Sequence, residues 1–410
     1  MIYRSALALG IVVALLTACG PAAVSSVPLE SSALAAASLG GAPRSVSAQA
    51  SPTPEFQFPP PAPNQTPGPN VVAPSPTDDR TPPPPIQMAP SPGAPPLTGG
   101  EHIVRSVDPT IAGSAQGLLA YVVNRTSNNV TIVDLAGNQV RGTVAVGQNP
   151  QEVTAAPDGS RVFVANQNDN SVSAIDVATG QVAATWTGVD GPLDVAVAPG
   201  GNALWVSSPN SGDIVVFSLP DGGQAGRIAV GRGVTLIDFS RDGGRAYATN
   251  RQTGALAVID PAARSVVATV PTDAGAEGLA VSPDGRWVYV ANRDASSVSL
   301  VDASSNQVAA TIATSPQPRR VIFSADGAYA YVSHNEDSRI TVIDTSRQAI
   351  AGTLFLDHPA LGLALSPDGT RLYAAQVSAN AIQALDAATS FDLGTVQVGN
   401  APDSLVVLRR

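Results

Sequence analysis

Hydrophobic and polar residues alternate in short runs over the last three hundred residues, and polar turn clusters separate the runs. Within 277–312, the segments EGLAVS, WVYVAN, SVSLVD and QVAATI are four such runs. Period-two alternation in runs of about six residues predicts half-buried β-strands, and turns every ten residues or so predict antiparallel hairpins rather than strand–helix–strand units. The turn Pro283-Asp284-Gly285 supplies the backbone angles of a tight reversal.

The four-strand unit recurs every 42 residues without insertion. A fixed period of this kind indicates a repeat architecture. An acidic residue closes the third strand of each unit except one, where Ser218 replaces it, and we expect its carboxylate to accept backbone N–H bonds in the following turn. The repeat is marked by the strands YVVN, FVAN, WVSS, YATN, YVAN, YVSH and YAAQ, which start at Tyr121, Phe163, Trp205, Tyr247, Tyr289, Tyr331 and Tyr373, and by the closing acids Asp134, Asp176, Asp260, Asp302, Asp344 and Asp386.

A single four-stranded sheet of this size leaves both faces partly apolar, so neighbouring sheets must stack to bury them. Radial stacking predicts an all-β fold, a seven-bladed β-propeller of four-stranded antiparallel blades within 101–410. The C-terminal TVQVGNAPDSLVVL matches TVAVGQNPQEVTAA at Thr143–Ala156. Ser404–Leu408 is therefore predicted to supply the innermost strand of the blade begun by Leu118–Val146. Pro109–Ala115, a weaker match, is the alternative.

The YVVN, FVAN and YVAN strands, the SPDG turns and the SVSAID and TVID strands resemble the YVTN family of β-propeller repeats across 118–410. The resemblance implies the propeller fold. Family members include surface-layer and cell-envelope proteins, and propeller domains attached to, or resembling, lactonases and cofactor-containing oxidoreductases. The resemblance therefore defines an architecture and leaves the function open.

The N-terminus has the pattern of an export signal. Arg4 precedes an apolar run, Ala6–Leu16, which is too short to cross a bilayer as a helix. The end of this stretch, Leu16-Thr17-Ala18-Cys19, resembles the lipobox of bacterial lipoproteins, which implies removal of residues 1–18 and lipidation of Cys19, the only cysteine. An ordinary secretory signal with an incidental cysteine is the alternative. We expect an exported protein, lipid-anchored on the extracytoplasmic side, in the periplasm or at the cell surface.

Residues 19–100 are rich in Ala and Ser and then in Pro, as at Pro59–Pro61 and Pro82–Pro85. The segment lacks apolar periodicity, which predicts a disordered linker. Polyproline II geometry, at about 3.1 Å per residue, would let such a tether hold the propeller away from a membrane. Recognition of its PxxP-like runs by a partner is the alternative use.

Composition and charge restrict the classes of function that the sequence supports. The formal net charge is −10, and residues 101–410 carry 19 arginines against 28 acidic groups, which disfavours bulk nucleic-acid binding. The three histidines, His102, His334 and His358, do not cluster, and no CxxCH or GxSxG motif is present. We therefore predict no catalytic residues and no cofactor. The alternative is a channel calcium ion, with the turns Gln167–Asn170 and Asn335–Asp337 as first suspects.

Departures from the repeat collect in the loops between second and third strands and between blades, which should share one face. Arginines there can form bidentate bonds to a carboxylate or a phosphate. The alternative is that they are ordinary solvated loop residues that bind no ligand. The prediction is an envelope lipoprotein, monomeric and touching the membrane only through its lipid, whose propeller binds an envelope protein, a polysaccharide or a small anionic ligand. The alternative is a metal-dependent, lactonase-like hydrolase with its site in the channel. The candidate ligand face is Arg232, Arg251, Arg293, Arg319, Arg320, His334, Asp357 and His358.

Overall fold

The computed structural model describes residue 115 and residues 117–409, which form 28 β-strands and no helix. Within this part of the chain, no helix is long and apolar enough to cross a membrane. The predicted signal peptide, Cys19, the Pro-rich linker and residues 109–114 lie outside the described residues.

The strands follow the repeat along the chain. They are β1 (Leu118–Asn124), β2 (Asn129–Asp134), β3 (Gln139–Ala145), β4 (Pro150–Ala155), β5 (Arg161–Asn166), β6 (Ser171–Asp176), β7 (Gln181–Thr187), β8 (Val195–Val197), β9 (Ala203–Ser208), β10 (Asp213–Ser218), β11 (Gln224–Ala229), β12 (Val234–Phe239), β13 (Ala246–Asn250), β14 (Ala255–Asp260), β15 (Ser265–Pro271), β16 (Ala276–Val281), β17 (Trp287–Asn292), β18 (Ser297–Asp302), β19 (Gln307–Ala313), β20 (Pro318–Phe323), β21 (Tyr329–His334), β22 (Arg339–Asp344), β23 (Ala349–Phe355), β24 (Ala360–Leu365), β25 (Arg371–Gln376), β26 (Ala381–Asp386), β27 (Asp392–Gln397) and β28 (Pro402–Arg409).

Seven four-stranded antiparallel sheets are the blades. Blade 1 has the order β28-β1-β2-β3, and blades 2 to 7 take the remaining strands four at a time in chain order, from β4–β7 to β24–β27. The first strand of each set, or β28 in blade 1, is innermost. The predicted seven-bladed propeller is confirmed.

The ring closes through the C-terminus. β28 pairs antiparallel with β1, with Tyr121 opposite Val406 and Leu119 opposite Leu408. This is the closure that the match to Thr143–Ala156 predicts. The alternative, closure by Pro109–Ala115, is wrong because β28 already occupies the innermost position of blade 1.

The core lies between neighbouring blades, where both faces of each sheet are covered. The aromatic residue of the second strand is fully buried in several blades, as for Tyr121 and Tyr289. Between blades 2 and 3 the Trp186 ring stacks against Phe163 and Phe217 at 5.5 and 5.6 Å between centroids. Burial of such side chains stabilises the ring by roughly 1.5–3 kcal/mol each.

The acid that closes the third strand has the expected turn role. Asp176 accepts the backbone N–H of Thr179 at 2.8 Å, and this bond lowers the pKa of its carboxyl. In blade 5, the Ser304 hydroxyl and the Ser305 N–H lower the pKa of Asp302 to about 2. Equivalent bonds to backbone N–H groups are made by Asp134, Asp260, Asp344 and Asp386.

The antiparallel order divides the connections between two ends of the ring. Turns between first and second strands and between third and fourth strands lie at one end, which we call the lower face. Turns between second and third strands and the loops between blades lie at the other end, the upper face. Each innermost strand therefore begins at the upper mouth of the central channel.

Candidate functional site

One pair of adjacent repeat positions lines the upper mouth of the channel. Because each innermost strand begins there, the same two positions of all seven repeats come together around the axis. In the first position stand Gln151, Leu193, Thr235, Glu277, Arg319, Leu361 and Asp403, and in the second stand Glu152, Asp194, Leu236, Gly278, Arg320, Gly362 and Ser404.

Arg319 bridges two buried carboxylates at this mouth. Its Nη1 lies 2.6 Å from Glu277 Oε1 in blade 5, and its Nη2 lies 3.2 Å from Asp403 Oδ1 in β28. Burial acts to lower the pKa of the guanidinium, but the charges of Asp403 and Glu277 raise it overall. Arg319 thus ties blade 6 to blade 5 and to the strand that closes the ring.

Arg320 makes an ion pair across the channel. Its Nη2 contacts Glu152 Oε1, and the other carboxylate oxygen, Oε2, accepts the Ser404 hydroxyl at 2.5 Å. Arg320 belongs to blade 6 and Glu152 to blade 2, which are three positions apart in the ring. Burial lowers the pKa of Arg320 to about 10, so its guanidinium is still protonated at neutral pH.

Three further arginines surround this inner set. Arg293 Nη1 and Arg251 Nε lie 3.7 and 3.9 Å from Glu277 Oε2, and Arg125 Nη1 lies 3.5 Å from Asp403 Oδ2. Their side chains are more exposed than those of the inner pair. We call the eight residues Arg125, Arg251, Arg293, Arg319, Arg320, Glu152, Glu277 and Asp403 the arginine cluster.

The structure brings four predicted ligand-face residues into the arginine cluster, namely Arg251, Arg293, Arg319 and Arg320. The location predicted for Arg319 and Arg320 needs correction, since both lie in the innermost strand β20 and not in a loop. Their side chains extend from that strand into the channel mouth, because the repeat places them at its upper end.

His334 is a core residue of the repeat and is not on the ligand face. It is fully buried at the end of β21, with Nε2 2.9 Å from Thr341 Oγ1 and Nδ1 3.1 Å from the Pro316 carbonyl. Asn166 makes the equivalent contact to the hydroxyl seven residues on, Ser173 Oγ, at 2.9 Å. Burial lowers the pKa of His334. An exposed loop position is excluded because the histidine fills a buried asparagine site.

Arg232, Asp357 and His358 lie exposed in the loops between blades. Arg232 Nε donates to the Asn210 carbonyl at 2.9 Å, and the Asp357 N–H donates to Gln383 Oε1 at 3.1 Å. Among the described residues, no ion pair joins these three side chains to the arginine cluster.

Sequence reasoning missed the carboxylates of the cluster, although a signal for them is present. Glu277 and Asp403 stand at the same repeat position as Arg319, separated from it by whole repeats of 42 residues. Opposite charges in one column of a closed ring predict ion pairs, because the ring brings that column to one level of the channel. Arg125 was also missed, although it shares its repeat position with Arg251 and Arg293 and that shared position indicates it.

Two more carboxyl groups lie at the innermost strands, Asp194 directly before β8 and Asp238 within β12. Asp194 Oδ2 accepts the N–H of Ile237 at 2.6 Å, and Asp238 Oδ2 accepts the N–H of Val281 at 2.8 Å. Each therefore bridges to the innermost strand of the next blade. Burial raises the pKa of Asp194 to about 7, with a smaller contribution from the Asp238 charge, and burial raises the pKa of Asp238 to about 6.

The space below the mouth is small. A cavity of about 10 Å³ is lined by residues that include Glu152, Glu277, Arg319 and Arg320, and it can hold about one water molecule. This cavity has no room for a ligand larger than water, and the exposed side of the arginine cluster is a surface that such a ligand can reach.

The mouth does not fit a calcium ion, which takes six to eight oxygen ligands. Each carboxylate of the arginine cluster already faces a guanidinium, and in the part of the chain that the structure describes no three His, Cys, Asp or Glu side chains form a metal-binding group. Asp169, from one of the suspected turns, accepts the Gln148 N–H at 2.7 Å. We assign no chemical step to a metal.

The sequence matches the model of a family that has the seven-bladed fold described above. Residues 106–199 and 237–356, just over half of the chain, match the model of the family described as lactonase, seven-bladed β-propeller. The chain belongs to this lactonase family. No curated protein matches the sequence significantly.

Solved structures resemble this lactonase-family propeller over most of their length. A functionally unknown protein from Desulfotomaculum acetoxidans has a TM-score of 0.63 and 16% identity, covering 71% of this chain and 99% of that one. A putative 6-phosphogluconolactonase from Bacteroides uniformis has a TM-score of 0.61 and 18% identity, covering 72% and 100%. Hydrazine synthase from Kuenenia stuttgartiensis has 0.58 and 23%, covering 64% and 95%. At these identities the likeness shows the fold alone.

Proposed function

We propose that the lactonase-family propeller binds a small anionic ligand, through a carboxylate or phosphate group, at the upper mouth of its channel. The supporting observation is the arginine cluster, in which five guanidinium groups surround three carboxylates. The cluster carries two positive charges in excess, on a chain whose net charge is −10. A local excess of the opposite sign concentrates anions at the mouth.

The inner and outer arginines have different roles in this proposal. Arg319 and Arg320 are held by bonds to buried carboxylates, so their orientation requires no ligand. The ion pairs of Arg293 and Arg251 are 3.7 and 3.9 Å long, too long for hydrogen bonds. Nε of Arg293 is buried without a hydrogen-bond partner among the described residues. The ligand would instead contact the exposed N–H groups of Arg251 and Arg293, whose side chains are 42% and 24% exposed.

Hydrolysis of a lactone is the second candidate function, and family membership favours it. In this reaction water adds to the ring carbonyl, the ring C–O bond breaks, and a hydroxy acid is formed. Guanidinium groups at the mouth would stabilise the oxyanion and then bind the product carboxylate. Asp194, with a pKa of about 7, is the carboxyl best suited to accept the proton from water, and the neighbouring Leu193 lines the cavity.

The location of the site is part of the proposal. The signal-like N-terminus and Cys19 support export and lipid anchoring, and the Pro-rich linker would hold the monomeric propeller away from the membrane. An anionic polysaccharide or an acidic envelope protein would reach the arginine cluster from the upper face. Radiolabelled palmitate incorporation, abolished by Cys19→Ser, would test the anchor.

Binding is tested by calorimetry with inorganic phosphate, succinate and gluconate as probes. We expect the double variant R251Q/R293Q to bind the preferred probe at least tenfold more weakly, because two charged donors are lost, about 1.4 kcal/mol or more. R347Q is the matched control, since Arg347 is 80% exposed in a lower-face turn. Equal affinity of native protein and R251Q/R293Q, or no binding of any probe, would contradict the proposal.

Hydrolysis is tested separately with glucono-δ-lactone in a pH-stat. The second candidate requires a rate above that of buffer and a lower kcat in D194N. A rate equal to that of buffer excludes this lactone as a substrate, and it leaves the binding result unaffected.

A further inference from the structure

A second recess lies on the lower face, between blades 2 and 3 and remote from the arginine cluster. Its volume is about 360 Å³. Three prolines and a leucine form its apolar walls, and charged side chains lie at its rim. We call it the lower groove, lined by Pro157, Pro199, Leu219 and Pro220 together with Asp158 and Arg161.

The groove arises where blade 3 departs from the repeat. Gly200-Gly201 replaces the Asp-Gly turn of most blades, and Ser218 replaces the acid that closes the third strand. Small residues at these places leave space beside Pro157, which would lie 3.8 Å from a Cβ at Gly201. Arg161 Nη1 donates to the Pro220 carbonyl at 2.7 Å and holds the opposite wall in place. The groove is therefore formed before any ligand binds.

The rim of the groove carries charges of both signs, the Asp158 carboxylate and the Arg161 guanidinium. Asp158 accepts the N–H and the hydroxyl of Ser160, and these bonds lower the pKa of its carboxyl, which is ionised at neutral pH. Asp221 follows Pro220 directly in the chain. Apolar walls beside the Asp158 carboxylate suit a proline-rich peptide that carries an arginine, because polyproline II segments place rings on apolar walls with little loss of entropy.

The chain itself carries such a peptide. Residues 80–85 read RTPPPP, an arginine followed by a run of prolines. The described chain begins at the lower face, where Leu118 pairs with Arg409. The carbonyl oxygen of Arg409 lies 3.9 Å from the Cβ position of Gly159, the residue next to Asp158. The chain therefore enters the fold on the order of 10 Å from the rim of the groove.

The length of chain between the two points is sufficient. The thirty or so residues that separate the proline run from the entry point span about 30 Å as a flexible chain. A segment tethered at that length has an effective concentration on the order of 1 mM at the groove. At that concentration, even a weak affinity of the segment for the lower groove keeps the groove mostly occupied.

We propose that residues 80–85 of the same chain dock in the lower groove, with proline rings against Pro199, Leu219 and Pro220, and with Arg80 paired to Asp158. Docking would shorten the free part of the linker to residues 19–79. The proposal does not depend on the function of the arginine cluster.

Hydrogen exchange of the full chain tests the docking. In the native protein, amides of 158–161 and 219–223 should be protected, and replacement of Pro82–Pro85 by glycine should release them. With an effective concentration of about 1 mM, a dissociation constant of about 0.3 mM gives roughly fourfold slower exchange in the docked state. Replacement of Pro59–Pro61 by glycine is the matched control, because that run has no arginine beside it, and it should leave exchange unchanged.

Two further measurements distinguish docking within one chain from contact between two molecules and from a loss of folding. Asp158→Asn should weaken protection of 219–223, while an unchanged fluorescence spectrum of the three tryptophans, Trp186, Trp205 and Trp287, shows that the fold is intact. Protection that disappears on dilution would assign the groove to a second molecule and overturn docking within one chain. Equal exchange in the native protein and the 82–85 glycine variant would also overturn it.

Discussion

Replacement of Arg319 by methionine tests the central ion-pair arrangement. The substitution keeps an apolar stem of similar length but removes the positive charge that lies 2.6 Å from Glu277 and 3.2 Å from Asp403. Asp403 is only 2% exposed, so its carboxylate cannot recover the loss by hydration. Glu277 and Asp403 are then left with the outer arginines of the cluster, whose nitrogens lie 3.5 to 3.9 Å from the carboxylate oxygens.

The expected loss of stability is large. Removal of one partner from a buried ion pair destabilises a protein by about 3–5 kcal/mol, because an uncompensated charge is left in a medium of low dielectric constant. The remaining arginines reduce this loss, so we expect about 3 kcal/mol in the free energy of unfolding. For a domain whose total stability is about 5–15 kcal/mol, such a change is easily measured.

Urea denaturation of the full chain, followed by tryptophan fluorescence at pH 7.5, measures the change. R347M is the matched control, and a loss below about 0.5 kcal/mol is expected because Arg347 is exposed. The triple variant R319M/E277Q/D403N should regain part of the loss, since neutral amides need no counter-charge. A loss under about 1 kcal/mol for R319M, or no recovery in the triple variant, would refute the reasoning that these charges are buried and mutually dependent.

Three other outcomes are expected. The pKa values of Asp194 and Asp238, about 7 and about 6, lie above those of unfolded carboxyls, so their contribution to stability should be complete below about pH 4 and be lost as pH rises through 6 and 7. The fall should be about 4 kcal/mol for Asp194 and about 3 kcal/mol for Asp238. Thermal melts should show this fall and its reduction in D194N, and a flat profile would contradict the burial argument. Gly278→Ala should strongly destabilise the fold, because a Cβ there would overlap the carbonyl oxygen of Arg319 in the next innermost strand. The control is Gly142→Ala, where a Cβ would meet no atom within 4 Å, and in urea titrations it should leave stability unchanged or raise it. His334→Asn should change stability by less than about 1 kcal/mol because asparagine serves this position in other blades, while His334→Leu should cost about 1–3 kcal/mol; equal losses would mean that the hydrogen bonds are unimportant.

Local patterns are enough to predict the blades. Successive side chains of a strand point to opposite faces of its sheet, so each face packs against one neighbouring blade. The Asp-Gly turns and the closing acids form their hydrogen bonds with residues only a few positions away in the chain. The bonds from Asp176 to Thr179 are of this kind. Ring closure is also predictable, because β28 carries the same sequence pattern as the innermost strand β4.

The candidate site is predictable only in part. Arg319 and Arg320 stand out in the sequence as departures from the repeat, but their position in β20 and their buried partners do not follow from it. The sequence places His334 on the ligand face, which is wrong, because its burial depends on Thr341 and Pro316, which pack around it only in the folded blade. The lower groove is not predictable, because it is a space between two blades and no single residue indicates it.

The sequence by itself therefore determined the architecture of 118–409 and the order of its strands. Those features rest on interactions between residues close in the chain, repeated at a constant interval of 42. The tertiary structure alone decided that Arg320 of blade 6 meets Glu152 of blade 2 across the channel. The pair depends on the closed ring, since closure brings equivalent positions of distant repeats to one level around the axis and removes them from water together.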